Sequence, residues 1–124
     1  MDWFGRPGAK PTARQVTGAA GEERALQHLE QQGMHLVERN FRCKVGEIDL
    51  IMRDGATLVF VEVRARADGR HGGAAASITP AKQRRLTRAA ERYLQRLRTL
   101  PPCRFDVIAI DDGVLTWLRN AIVG

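Results

Sequence analysis

Hydrophobic positions recur along this chain with two periods, and the change from one to the other divides it into elements. Over residues 18–32, Glu22, Ala25, Leu26 and Leu29 fall at i, i+3, i+4 and i+7, one face of a helix, with Thr17 as its cap and Gly33 as its terminator. "MHLVERNFRC", with Leu36, Val37 and Phe41, predicts a first strand. Residues 47–52 and 57–64, rich in Ile, Leu, Val and Phe, predict two more, joined as a hairpin whose turn centres between Asp54 and Gly55. Residues 67–78 have no period and predict a loop, long for a small domain and of the kind that closes over a ligand. Thr79 and Pro80 then open a second helix with Leu86, Ala89, Ala90, Tyr93, Leu94 and Leu97 on its apolar face, ended by Pro101 and Pro102. "RFDVIAI" and "VLTWL" predict two last strands around Asp111, Asp112 and Gly113. The predicted order is helix, three strands, helix, two strands.

At 124 residues and 44% hydrophobic, the chain is expected to form one domain with a single core. Residues 1–16, rich in Gly, Pro and basic side chains, are read as a flexible basic arm, and residues 17–124 as the domain. No apolar run approaches the roughly 20 residues that cross a bilayer, and the first residues lack the apolar core of a secretory signal, so a soluble, cytoplasmic protein is expected. Cys43 and Cys103 have no cysteine or histidine neighbour at ligand spacing and are read as reduced thiols.

Charge changes the picture through its distribution. The formal net charge is +6, and residues 80–98 alone carry seven basic side chains against one acid, Glu91. An ordinary solvated helix face mixes both signs, so this one predicts a polyanionic partner, with Lys82, Arg85 and Arg88 as phosphate contacts. No zinc-finger spacing, helix-turn-helix pattern or aromatic-rich strand motif predicts base-specific reading.

The hairpin carries carboxylates where a purely packing strand would not. With facing residues summing to 109, Asp49 lies opposite Phe60 and Glu47 opposite Glu62, so Glu47, Asp49, Glu62 and Arg64 share one side of the sheet. One acid beside one arginine reads as an ion pair with Arg42, Arg64 or Arg66. Several like charges together on an apolar hairpin read instead as oxygen ligands for a hard divalent cation. Glu22 falls on the buried side of the first helix, or serves there as a first-turn acid, while Glu23 is expected to be solvated. His71, Trp3 and Trp117 are left outside the site.

"GAAGEERA", "RNFRCKVGEIDLI", "FVEVRAR", "ITPAKQRRLTRAAERYL" and "RFDVIAI" together resemble the bacterial YraN, or UPF0102, family, over about residues 18–121. That family is similar to restriction-endonuclease-like, PD-(D/E)XK, nucleases and to archaeal Holliday junction resolvases. The resemblance implies an α/β fold with a restriction-endonuclease-like core, a central mixed sheet flanked by helices. It implies Asp49 and Glu62 as the principal magnesium ligands, with manganese as a substitute and the backbone carbonyl of Val63 as a third ligand. Glu22 would support the metal and its water. Arg64 stands where the nuclease pattern has lysine; arginine is a poor general base but can stabilise charge on a phosphoryl group.

The resulting expectation is a metal-dependent endonuclease acting on branched or structured DNA, in preference to RNA, and by analogy a homodimer. Two alternatives remain: a nucleic-acid-binding module that has lost turnover through Arg64, and an interaction protein whose basic helix meets an acidic partner.

Overall fold

The computed structural model describes residues 13–67 and 73–122, with side chains from Ala19 onward. The elements run α1 (Ala13–Gln31), β1 (His35–Cys43), β2 (Gly46–Asp54), β3 (Thr57–Arg66), α2 (Gly73–Ala76), α3 (Pro80–Leu94), β4 (Cys103–Asp111) and β5 (Val114–Leu118). The five strands form one sheet in the order β1-β2-β3-β4-β5. All neighbours are antiparallel except β3 and β4, which run parallel from Leu58 and Cys103 to Arg66 and Asp111. A parallel pair needs a crossover, and α2 and α3 supply it. The fold is thus mixed α/β, with a mixed sheet between helices.

Each face of the sheet buries its own apolar cluster. On one, Ala25, Leu26 and Leu29 of α1 meet Leu50, Met52, Val59, Val61, Ile108 and Ile110. On the other, Leu86, Ala89, Ala90 and Tyr93 of α3 meet Ile48, Ile51, Phe60 and Val107. The 3.6-residue period of each helix matches one face of a sheet whose central strands are covered on both sides, which is why β2 and β3 read as nearly continuous apolar runs. α3 begins as its sequence dictates: the Thr79 side chain accepts from Lys82 N at 3.3 Å, and Pro80 occupies the first turn.

Five details differ from the sequence-based expectation. α3 ends at Leu94, so Leu97 lies beyond it and is exposed. α1 starts at Ala13, so Thr17 lies inside the helix and does not cap it. Within the predicted loop, residues 73–76 form the one-turn helix α2, whose Ala74 N donates to Asp111 Oδ1 at 2.6 Å. The hairpin turn is Gly55 and Ala56, with Gly55 at φ 61°, so facing residues sum to 111 and not 109. A two-residue shift of the sum preserves parity, so the side chains of β3 keep their faces. Finally, Glu23 is not simply solvated, because Arg39 Nη1 reaches its Oε2 at 3.2 Å. Trp3, His71 and the first twelve residues of the expected arm lie outside the described residues.

Candidate active site

Two irregularities in the strands open the site. β1 and β2 pair Arg39 with Leu50 and Phe41 with Ile48, so Asn40 stands opposite Asp49, and Asn40 takes the left-handed φ of 51°. Asparagine is among the few residues that adopt this conformation readily. Here the alternation of β2 breaks: Leu50 belongs to the α1-side cluster, whereas Ile48, two residues earlier, belongs to the α3-side cluster. The paired residues of β2 and β3 end at Leu50 and Val61, one step short of Asp49 and Glu62. Asp49 therefore sits where β2 changes face and leaves its neighbour, within reach of groups from both layers.

Its contacts follow from that position. Val63 N donates to Asp49 Oδ2 at 2.8 Å, and the Asp49 and Glu62 carboxyls hydrogen-bond each other. Burial is the main cause that raises both above the ordinary carboxylate range, Glu62 to about 8, with the charge of Asp49 next for Glu62. From α1, Glu22 is also raised, to about 7, by burial first and then by Asp49, against the opposing cations Arg39 and Arg42. Gly21 beside it keeps α1 close to the sheet, since a Cβ there would stand 3.3 Å from Ala65 Cβ.

The cations approach from the other layer. A cleft of about 200 Å³ is lined by Glu47, Glu62, Arg64, Lys82, Arg85 and Leu86. α3 comes this close because the residue opening β2 is glycine; a Cβ on Gly46 would lie only 2.3 Å from the Arg85 carbonyl oxygen. Arg64 Nε stands 3.4 Å from Glu62 Oε1, and Arg42 Nε stands 3.4 Å from Glu47 Oε2. Those two acids thus do take arginine partners, while Asp49 is held by a backbone N–H and another carboxyl.

Of the residues singled out from sequence, Glu47, Glu62, Arg64, Lys82 and Arg85 share the cleft. Asp49 and Glu22 stand behind it, joined to it through Glu62 and through charge, and Arg88 is exposed outside it. Val63 contributes its N–H to Asp49.

Among the described residues, no three His, Cys, Asp or Glu side chains gather closely enough to form a metal cage. The donor set nevertheless fits magnesium, which is commonly held by one or two carboxylates and completes its shell with water and substrate phosphate. Two buried carboxyls sharing a proton suit a divalent cation that would replace that proton.

Sequence reasoning missed Arg39, which bridges to Glu23 and opposes the rise of Glu22. It also left Asp106 without a role. That carboxylate is fully buried and accepts from Arg104 Nε at 3.1 and 3.3 Å, Trp117 Nε1 at 3.0 Å and Asn120 N at 2.9 Å. Arg104 also donates from Nη1 to Asp54 at 2.9 Å. The pattern "RFD" followed by a tryptophan carries no spacing that announces such a network.

The family model described as "Uncharacterised protein family UPF0102" matches residues 21–110. A UPF0102 protein of Herminiimonas arsenicoxydans is 65% identical over 111 residues, 90% of each chain. One from Janthinobacterium sp. (strain Marseille) is likewise 65% identical over 111 residues, again 90% of each. One from Alkalilimnicola ehrlichii is 59% identical over 118 residues, covering 94% of this chain and 93% of its own.

Proposed function

The chain belongs to the UPF0102 family, and we propose that it is a magnesium-dependent phosphodiesterase that cuts branched or structured DNA. One observation carries this reading: the hydrogen-bonded pair Asp49 and Glu62 opens, through Glu62, into the same cleft as Lys82 and Arg85. Carboxylates to hold a divalent cation and cations to hold a phosphate backbone are the two requirements of phosphodiester hydrolysis. The order of one helix, three strands, helices and a parallel fourth strand is also the order expected of a restriction-endonuclease-like core.

In this mechanism Asp49 and Glu62 would hold magnesium, with manganese as a substitute and the Val63 carbonyl as a third ligand, and the ion would supply a more acidic water and neutralise phosphate charge. Val63 N holds the Asp49 carboxylate in place before any ion binds. Glu22, pushed up to about 7, can accept or return a proton near neutral pH. Lys82 and Arg85 hold the backbone on the α3 side, and Arg64 faces the same cleft as a permanent cation for charge developing on the phosphoryl oxygens.

The Arg64 to Glu62 ion pair favours a second reading, a binding module without turnover, because arginine does not serve as a base. The test is cleavage of a four-way junction with magnesium or manganese, lost in Asp49→Ala and Glu62→Ala. Absence of cleavage across junction, flap and duplex substrates, with binding retained, selects the second reading. A junction is cut on two symmetric strands, so the cleaving form is a homodimer in this proposal. No described helix is long and apolar enough to cross a membrane, and a DNA substrate places the protein in the cytoplasm.

A further inference from the structure

α3 carries more cation than the cleft uses. Lys82 and Arg85 line the cleft, but Arg84, Arg88 and Arg92 do not, and all three are exposed. Each lies four positions after the one before, so they stand in one row, about 6 Å apart along the helix axis. Among the described residues, none of these three side chains, nor that of Arg85, is in an ion pair. Like charges at this spacing repel and weaken an isolated helix. Farther along, Arg96 is treated differently: it reaches Glu38 at 3.7 Å and lies over the rings of Phe41 and Tyr93. The uncompensated row therefore starts beside the cleft and ends where the next arginine is engaged.

The aromatic side chains complete the argument. Among the described residues, no aromatic side chain lines the cleft. Phe60 is fully buried and stacks with Phe105, Phe41 packs edge-on against Tyr93, and Trp117 lies between His28 and Arg119. Proteins that hold single strands offer exposed rings on which bases stack, and the described surface of α3 beside the cleft offers arginines, with Glu91 as its one acid, and no exposed ring.

We propose that Arg84, Arg88 and Arg92 form a phosphate track along which one backbone of a duplex arm leaves the cleft, so that the substrate is gripped as a double strand and not as separated bases. This rests on the reading of the cleft as a phosphodiester site and adds to it the substrate's form and its direction.

The test is fluorescence anisotropy in EDTA, which prevents cleavage, using a short labelled DNA duplex, its single strand, and polyglutamate as competitor across a range of salt. The track predicts that the duplex binds tighter than the single strand. It also predicts that Arg84→Ala, Arg88→Ala and Arg92→Ala each lower the slope of log affinity against log salt by about 0.9. An unchanged slope in those variants, alongside a fall in Lys82→Ala and Arg85→Ala, overturns the track and leaves the cleft reading standing. Equal affinity for the single strand overturns it, as does effective competition by polyglutamate, which indicates an acidic protein partner. Failure to bind duplex at all overturns it too. Magnesium-dependent hydrolysis of a small model phosphodiester, which cannot reach α3 beyond the cleft, then reports on the cleft reading separately.

Discussion

Asp49 and Glu62 hydrogen-bond each other through their carboxyls at the point where β2 and β3 cease to pair. A pair that close shares a proton at neutral pH, and the stability of the metal-free protein must show it. Below pH 4.5 Glu62 is protonated whether the chain is folded or not. Between 4.5 and about 8 the folded chain keeps a proton that the unfolded chain releases. Stability therefore falls as pH rises through that window. Glu22, raised from 4.5 to about 7, adds a slope of the same sign. The expected loss is on the order of 1–3 kcal/mol, and Glu62→Gln should remove most of it. Urea unfolding in EDTA at mildly acidic and mildly alkaline pH checks this; a stability that rises with pH would contradict the shared proton.

Metal binding should run opposite to that slope. If the cation replaces the shared proton, magnesium or manganese binds more tightly as pH rises and releases about one proton per ion. Calorimetry in two buffers of different ionisation enthalpy measures both effects. Asp49→Asn should abolish the binding heat and yet melt at or above the wild-type temperature without metal, because it removes a buried charge and keeps an oxygen that can accept from Val63 N. A variant that loses both binding and stability would instead mark Asp49 as purely structural.

Arg64 is the cation nearest Glu62, with Nε 3.4 Å from Oε1. Its charge opposes the rise of the Glu62 carboxyl. Arg64→Met should therefore push that carboxyl higher and move the alkaline loss of stability upward in pH. Arg64→Lys keeps the charge and should leave metal affinity within several-fold of wild type. If turnover needs a side chain that can give up a proton, cleavage by the lysine variant should exceed that of wild type and rise with pH. Equal cleavage by the two would show that the cation acts through charge alone.

How far the site could be read in advance depended on periodicity. Parity places Glu62 and Arg64 on the α3 side whether facing residues sum to 109 or 111, so a misjudged turn did no harm to their faces. The direct opposition of Asp49 and Glu62 was not legible, because it needs the turn at Gly55 and Ala56. Nor was the face change at Ile48 to Leu50, which goes with one left-handed asparagine on the neighbouring strand. α2 escaped because four small residues have no measurable period, and it is held by Asp111, far away in sequence. Backbone irregularity and long-range hydrogen bonds leave almost no trace in a hydrophobic pattern, and the site is built from both.

Gly46 tests the fit between α3 and the carboxylates. A methyl group there meets the Arg85 carbonyl at 2.3 Å, and a backbone atom cannot rotate away. Gly46→Ala should cost about 2–3 kcal/mol, within the range of overpacked cores, and displace the Lys82 and Arg85 side of the cleft. Denaturant midpoints give the first effect. Weaker duplex binding with metal affinity preserved would give the second, since Asp49 and Glu62 belong to the sheet.

Asp106 separates what the fold needs from what the site needs. It sits one residue before Val107, the β4 neighbour of Glu62, so position alone would nominate it as another acid of the site. Its partners argue otherwise: Arg104, Trp117 and Asn120 use both oxygens, and none of them lines the cleft. The carboxylate ties β4 to β5 and to the segment after it, while Arg104 extends the tie to Asp54 at the end of β2. Asp106→Ala would leave buried donors without an acceptor and the Arg104 guanidinium without its buried partner, at an expected cost of about 3–5 kcal/mol. Asp54→Ala removes only the more exposed end and should cost about 1 kcal/mol or less. Asn in place of Asp106 is the sharper variant, because its amide nitrogen would face donors where the second oxygen now accepts. Measured below its lowered melting temperature, Asp106→Asn should bind magnesium as wild type does. If it loses metal affinity while still folded, Asp106 belongs with Asp49 and Glu62, and the division between scaffold and site drawn from its hydrogen bonds is wrong.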